Sequence, residues 1–167
     1  MNNRSTTAKI CFTALFAALT CVATIIIRIP SPLGGYINFG DCILLAGAWF
    51  LGAKYGFAAG AVGSALADIF SGYAAYAPAT FIIKGVMAVV AALMQKKSHS
   101  GVSKAAGAVI AELVMIGGYL VFEVYILGYG GAALANVPYN AIQGAVGVVG
   151  GILLSSAMGR ISRKNDL

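Results

Sequence analysis

Charge is what this sequence has least of. Only 10% of its 167 residues are Asp, Glu, Lys or Arg, and only 5 are acidic; soluble domains carry roughly 25%, so an ordinary water-soluble globule is excluded. Histidine is scarcer still: the single His99 lies in a basic loop, and Ser and His are not arranged as an obvious nucleophile and base. No Gly-x-x-x-x-Gly-Lys-Ser/Thr phosphate loop is present, which excludes ATP hydrolysis by that route, and no His-Glu-x-x-His zinc motif occurs. The three cysteines, Cys11, Cys21 and Cys42, lack metal-ligand spacing, and their odd number in apolar surroundings predicts buried free thiols, not disulfides. No metal or cofactor is implied. Neither an internal repeat nor a low-complexity tract or flexible linker stands out, and the missing repeat argues against a carrier built from inverted halves.

What the chain does have is apolar surface: 60% of its residues. A bilayer span takes roughly 20 apolar residues. The pattern predicts a single membrane domain over 1–167, an all-α integral membrane protein with a bundle of six transmembrane helices near 10–28, 41–53, 56–73, 79–95, 104–127 and 137–159. Pro30, Pro32, Gly34 and Gly35 break the first run from the second, which is the shortest. The first run is too long, and passes too directly into more membrane sequence, for a cleavable signal. The net charge of +6 forms no stripe that would suit nucleic acid. Arg4, Lys9, Lys54, Lys96, Lys97, Lys104, Arg160, Arg163 and Lys164 fall at the run ends that share one side, and only Arg28 and Lys84 do not. The positive-inside bias then predicts a multi-pass cell-membrane protein with both termini cytoplasmic.

Ionisable residues within spans are costly and therefore informative. Asp68, Lys84 and Glu123, with Asn136, Asn140 and Gln143, all lie within roughly 10 Å of the outer helix ends. Several helices thus contribute polar groups to one outer layer. Glu112, Tyr119 and Glu123 share one face of the fifth helix, and Asn136, Asn140 and Gln143 one face of the sixth; such faces point inward, because lipid satisfies neither carboxylate nor amide. The expected ligand contacts are Lys84, Glu123, Asn140 and Gln143, with Tyr119 or Tyr139 as walls and Asn38 and Asp41 fixing the loop above; Asp68 joins the same layer. Asp41, Asp68 and Glu123 against Arg28 and Lys84 leave that layer one charge negative, which disfavours strongly anionic guests. A bundle-ordering Lys84–Glu123 ion pair is the alternative, and Glu112, deeper, reads as structural. Tyr36, Tyr73, Tyr76, Tyr125, Tyr129 and Tyr139 suit an interfacial aromatic belt, with one or two available to stack on a flat heterocycle. Small residues four apart (Gly52, Gly56 and Gly60; Gly147 and Gly151) predict close helix packing within the bundle, while Ala14 and Ala18 either pack internally or present a face to another subunit.

Six segments together carry a family resemblance over nearly the whole chain: Ala14-Leu-Phe-Ala-Ala18, Gly35-Tyr-Ile-Asn-Phe-Gly-Asp41, Gly60 to Asp68, Thr80-Phe-Ile-Ile-Lys84-Gly85, Gly118-Tyr119 to Glu123, and Pro138-Tyr-Asn140-Ala-Ile-Gln143. The sequence resembles the substrate-binding S components of energy-coupling factor (ECF) vitamin transporters, closest to the branch associated with hydroxymethylpyrimidine or pyridoxine-like substrates. The resemblance implies six helices with an outward pocket capped by outer loops. It also implies docking of a transmembrane T component on the Ala14/Ala18 face, two cytoplasmic ATPase subunits, and a vitamin-like ligand. Riboflavin, thiamine or a queuosine precursor is the alternative cargo; an intramembrane enzyme using Glu123 and Lys84, or a purely structural assembly factor, is the alternative class.

Overall fold

The computed structural model describes residues 5–97 and 100–164, with side chains described to Arg160. His99, Arg4, Arg163 and Lys164, which entered the loop and orientation expectations, lie outside the residues whose side chains are described. Ser5 starts the first helix, α1 (Thr6–Ile26), by accepting a hydrogen bond from the Ala8 N–H, which satisfies one of the free donors at a helix start. Pro30 and two left-handed glycines, Gly34 and Gly35, then turn the chain through a short antiparallel hairpin, β1 (Ile29–Pro30) with β2 (Tyr36–Ile37), Ile29 opposite Ile37. The hairpin leads into α2 (Gly40–Leu51), and Gly52, at φ 81°, makes the tight turn into α3 (Ala53–Phe70). Pro78 sits in the first turn of α4 (Ala77–Lys97), where its missing N–H costs nothing. Helix α5 (Gly101–Val121) ends in a π-helical turn at Phe122–Ile126, and a 3-10 segment, Gly130–Asn136, leads into α6 (Val137–Lys164).

Glycine contacts fix the helix directions. Gly40 faces Thr24 and Gly47 faces Phe16, so α1 and α2 run antiparallel; Gly56 against Ala48 with Gly60 against Leu44 does the same for α2 and α3, and Gly107 against Met94 with Gly118 against Ile83 for α4 and α5. Gly147 against Asp41 and Gly151 against Leu45 make α2 and α6 parallel. Gly56, Gly60, Gly147 and Gly151 thus pack within the bundle as expected, whereas Gly52 serves the turn and faces open space. The start of α1 and the end of α6 consequently share one end of the bundle, called here the terminal end; the hairpin lies at the other, the far end.

Six helices form, but not six equal spans. Among the described residues, four segments, Thr6–Ile26, Ala77–Lys97, Gly101–Ile126 and Gly130–Arg160, are long and apolar enough to cross a bilayer. Helix α2 has 12 residues and is about 18 Å long at ~1.5 Å per residue, short of a ~30 Å hydrocarbon layer. Its neighbours are protein, not lipid: all of it but Ile43 and Phe50 is buried. Leu44, Leu45, Ala48 and Trp49 of α2 form the main core with Ile83, Met87, Ala88, Ala91 and Ala92 of α4 and Ala108, Ala111 and Met115 of α5. Cys21 and Cys42 are buried free thiols; Cys11, contrary to expectation, is exposed, because it lies on the outward face of α1 with Leu15 and Val22.

Candidate ligand-binding site

The far end is built from loop to floor by hydrogen bonds between elements distant in sequence. Asn136, at the end of the 3-10 segment, holds the hairpin: its Oδ1 accepts from the Leu33 N–H (3.4 Å), and its Nδ2 donates to the Gly34 carbonyl (3.3 Å) and to Glu123 Oε1 (2.9 Å). Below it, Gln143 Oε1 accepts from both the backbone N–H and the side-chain amide of Asn38 (3.0 and 3.2 Å), while its Nε2 donates to Asp41 Oδ2 (2.5 Å). Asn38 Oδ1 in turn accepts the Gly40 N–H at the start of α2 (2.9 Å). The chain ends on Asp41 Oδ1, which meets Lys84 Nζ at 2.5 Å with both side chains almost fully buried. Such a pair tolerates removal from water better when its other oxygen is bonded, and here Gln143 occupies Asp41 Oδ2.

Within this frame lies a cavity of about 380 Å³, its mouth included. Ser31, Gly35, Tyr36 and Asn38 wall it from the hairpin side, Asp68 from α3, Tyr76 and Thr80 from the start of α4, Tyr119 and Glu123 from the end of α5, and Asn140 and Gln143 from α6. Tyrosines tie the walls together. Tyr36 donates to Asp68 Oδ1 (2.6 Å), Tyr76 to Glu123 Oε1 (3.3 Å), and the Thr80 and Tyr119 hydroxyls share a 2.9 Å bond. Burial first, and then the neighbouring Asp68 and Glu123 carboxylates, push the Tyr36 and Tyr76 phenols well above their ordinary range, so both stay protonated donors at neutral pH. Rings pack behind them, Tyr36 tilted against Tyr73 at 4.8 Å and Tyr76 edge-on to Phe122 at 5.5 Å between centroids. Two carboxylate oxygens in this wall, Asp68 Oδ2 and Glu123 Oε2, are buried with no hydrogen-bond partner.

The structure brings Asn38, Asp68, Tyr119, Glu123, Asn140 and Gln143 to the cavity surface. Lys84 and Asp41 lie one layer behind it, joined to it through Gln143, with Lys84 Nζ 5.7 Å from the centroid of the Tyr119 ring. Tyr139, expected as a wall, is half-buried and not on the cavity. The Lys84–Glu123 ion pair also does not form. Asp41, in the first turn of the buried α2, claims the ammonium, whereas Glu123 sits in the π turn and is held by Tyr76 and Asn136. That turn re-aims the end of α5, as π turns inserted in α-helices often do at functional sites, and no periodicity signals it. Glu112 lies deeper, against Gly144 and Gly147, both its oxygens unpartnered. Of the six outer tyrosines only Tyr125 is broadly exposed; Tyr76 is buried. Ser31 and Thr80 were not expected at the cavity, although Thr80, one helical turn before Lys84, shares its face and carried the available signal. Ala14 and Ala18 are exposed on α1, remote from the cavity, so they do not pack internally.

The comparisons with known proteins agree with this architecture. Residues 4–160 match the family model described as the ECF-type riboflavin transporter, S component. An uncharacterised protein of Pyrococcus woesei is 37% identical over 144 residues, covering 86% of this chain and 93% of its own. The fold is similar to the S component of a bacterial ECF transporter, with a TM-score of 0.78 and 22% identity over 94% of this chain and 98% of that one.

Proposed function

The chain belongs to the S-component family of ECF-type transporters, and from that premise we propose that its far-end cavity captures a small vitamin-like heterocycle for an ATP-driven importer. It is a membrane-embedded, substrate-binding transporter subunit, not an enzyme. The observation that carries the site is convergence: the hairpin, α3, α4, α5 and α6 all supply polar or aromatic side chains to one cavity, as concave small-molecule sites require. The sequence resemblance favours a single-ring guest, such as hydroxymethylpyrimidine or pyridoxine, and the match to the riboflavin S-component model makes a flavin the alternative. Tyr36, Tyr76 and Tyr119 offer ring faces and hydroxyls, Asn140 fixes orientation, and Gln143 holds the floor through Asn38 and Asp41.

In the same reading the far end faces outside and both termini face the cytoplasm. S components work with a T component and ATPases; in this chain the exposed Ala14/Ala18 face of α1 is the surface we assign to the T component, since small residues let a second backbone approach closely.

A thermal-shift panel of vitamins on the purified protein, followed by titration calorimetry, tests the capture site. Asn140→Ala is expected to weaken the best ligand by about 1–3 kcal/mol, the cost of a lost buried hydrogen bond, while leaving the ligand-free melting temperature in place. An unchanged affinity would move the site elsewhere.

A further inference from the structure

The cavity is short of one kind of partner. Asp68 and Glu123 are both nearly fully buried, at 6% and 3% exposure, and each is held by one oxygen only. Asp68 Oδ1 accepts from Tyr36, and Glu123 Oε1 accepts from Tyr76 and Asn136. The second oxygen of each, Asp68 Oδ2 and Glu123 Oε2, is enclosed with no donor in bonding geometry, although the Thr80 hydroxyl lies beside Asp68. A buried carboxylate oxygen left without a donor costs more than a neutral group would.

Among the described residues no cation offsets them. Lys84 lies behind the wall and is bound to Asp41, the only ion pair among the described residues. Arg28 is exposed at the rim, where its charge reaches Tyr36. The cavity therefore presents acceptors from two helices with no buried positive charge on its surface. Gln143 is fully engaged with Asn38 and Asp41 and has little left to offer.

We infer that the guest binds as a hydrogen-bond donor. It is an amino-bearing, N–H-rich or protonated heterocycle whose donors close Asp68 Oδ2 and Glu123 Oε2, and its phosphorylated or carboxylated derivatives are rejected. This rests on the proposal that the cavity is the capture site. A donor relieves two unmet acceptors, and a cationic ring nitrogen adds attraction in a medium of low dielectric. A phosphate would instead face two carboxylates with no buried counter-ion, a repulsive arrangement that gives specificity by exclusion.

The test uses the purified full chain and matched pairs that differ by one phosphate: 4-amino-5-hydroxymethyl-2-methylpyrimidine, pyridoxamine and riboflavin, each against its phosphate monoester. Affinities are measured for wild type, Asp68→Asn, Glu123→Gln and Asn140→Ala. The expected result is a Kd at least tenfold lower for the unphosphorylated member of whichever pair binds, and about a tenfold loss in both Asp68→Asn and Glu123→Gln. Equal or tighter binding of the phosphate ester overturns the inference. So does binding that Asn140→Ala abolishes but Asp68→Asn and Glu123→Gln leave intact, and in that case the capture site itself stands. Binding that none of the three variants alters overturns the cavity reading and the inference together.

Discussion

Around Ala88, Ala91, Ala108 and Ala111 the helices meet through methyl groups, with Met87 and Met115 filling the remaining space. Toward the far end, α2 meets α4 and α6, and the 3-10 segment meets the π turn, through Asp41, Lys84, Gln143, Asn136 and Glu123. The first region is held by close backbone approach, which in lipid must rely on van der Waals contact because burial from water contributes nothing. It is non-directional, and many small residues serve. The second is directional, and each member is satisfied by a particular neighbour, so losing one strands another. The comparison separates two jobs: the alanine- and glycine-rich middle makes a rigid bundle, and the polar layer spends that rigidity on holding a cavity open with two acceptors unfilled.

The largest expected effect comes from breaking the polar layer. Lys84→Met leaves Asp41 buried without its cation and is expected to destabilise the protein by about 3–5 kcal/mol, read by thermal or denaturant unfolding in detergent. Adding Asp41→Leu should recover a substantial part, because the stranded charge is removed too. A single-variant loss below about 1 kcal/mol would show that water or lipid headgroups reach the pair. Next in size is a strike at helix packing. A side chain at Gly63 would press into the Ala17 carbonyl and Thr20, so Gly63→Val should cost about 1–3 kcal/mol by overpacking. Gly117 faces open space, and Gly117→Ala should be neutral or slightly stabilising, since alanine is the better helix former. Equal effects at the two glycines would refute the packing account.

The smallest effect on folding is expected at Ala14. Because it is exposed on α1, Ala14→Trp should change stability by no more than about 0.5 kcal/mol and leave ligand affinity unaltered. Transport by the complete complex should nevertheless be lost. Retained uptake would remove this face from the proposed docking surface.

Much of this arrangement was legible in the residues. Ionisable and amide side chains in apolar runs had to face inward, and their distance from the run ends placed Asp68, Glu123, Asn140 and Gln143 in one layer. Pro30 and the Gly34–Gly35 pair announced a turn, which became the hairpin. Partner choice was not legible. Helical spacing says which face Lys84 occupies but not which carboxylate of a non-adjacent helix reaches it, and Asp41 came closer than Glu123. The shortness of α2 was visible, but its enclosure by protein on nearly every side was not. Tyr76 had the composition and position of a membrane-surface tyrosine, yet the π turn brought Glu123 to its hydroxyl and it became a wall.

By itself, then, the sequence determined that this chain lives in a membrane, that it forms helices, and that its costly polar groups gather toward one end; these follow from transfer energies and a 3.6-residue repeat, which are local properties. Tertiary structure alone decided which acceptors were satisfied and which were left open, because that depends on ångström-scale meetings between residues as far apart as Asn38 and Gln143. Hydrogen bonds weaken steeply with distance and angle, and neither is set until the helices have packed.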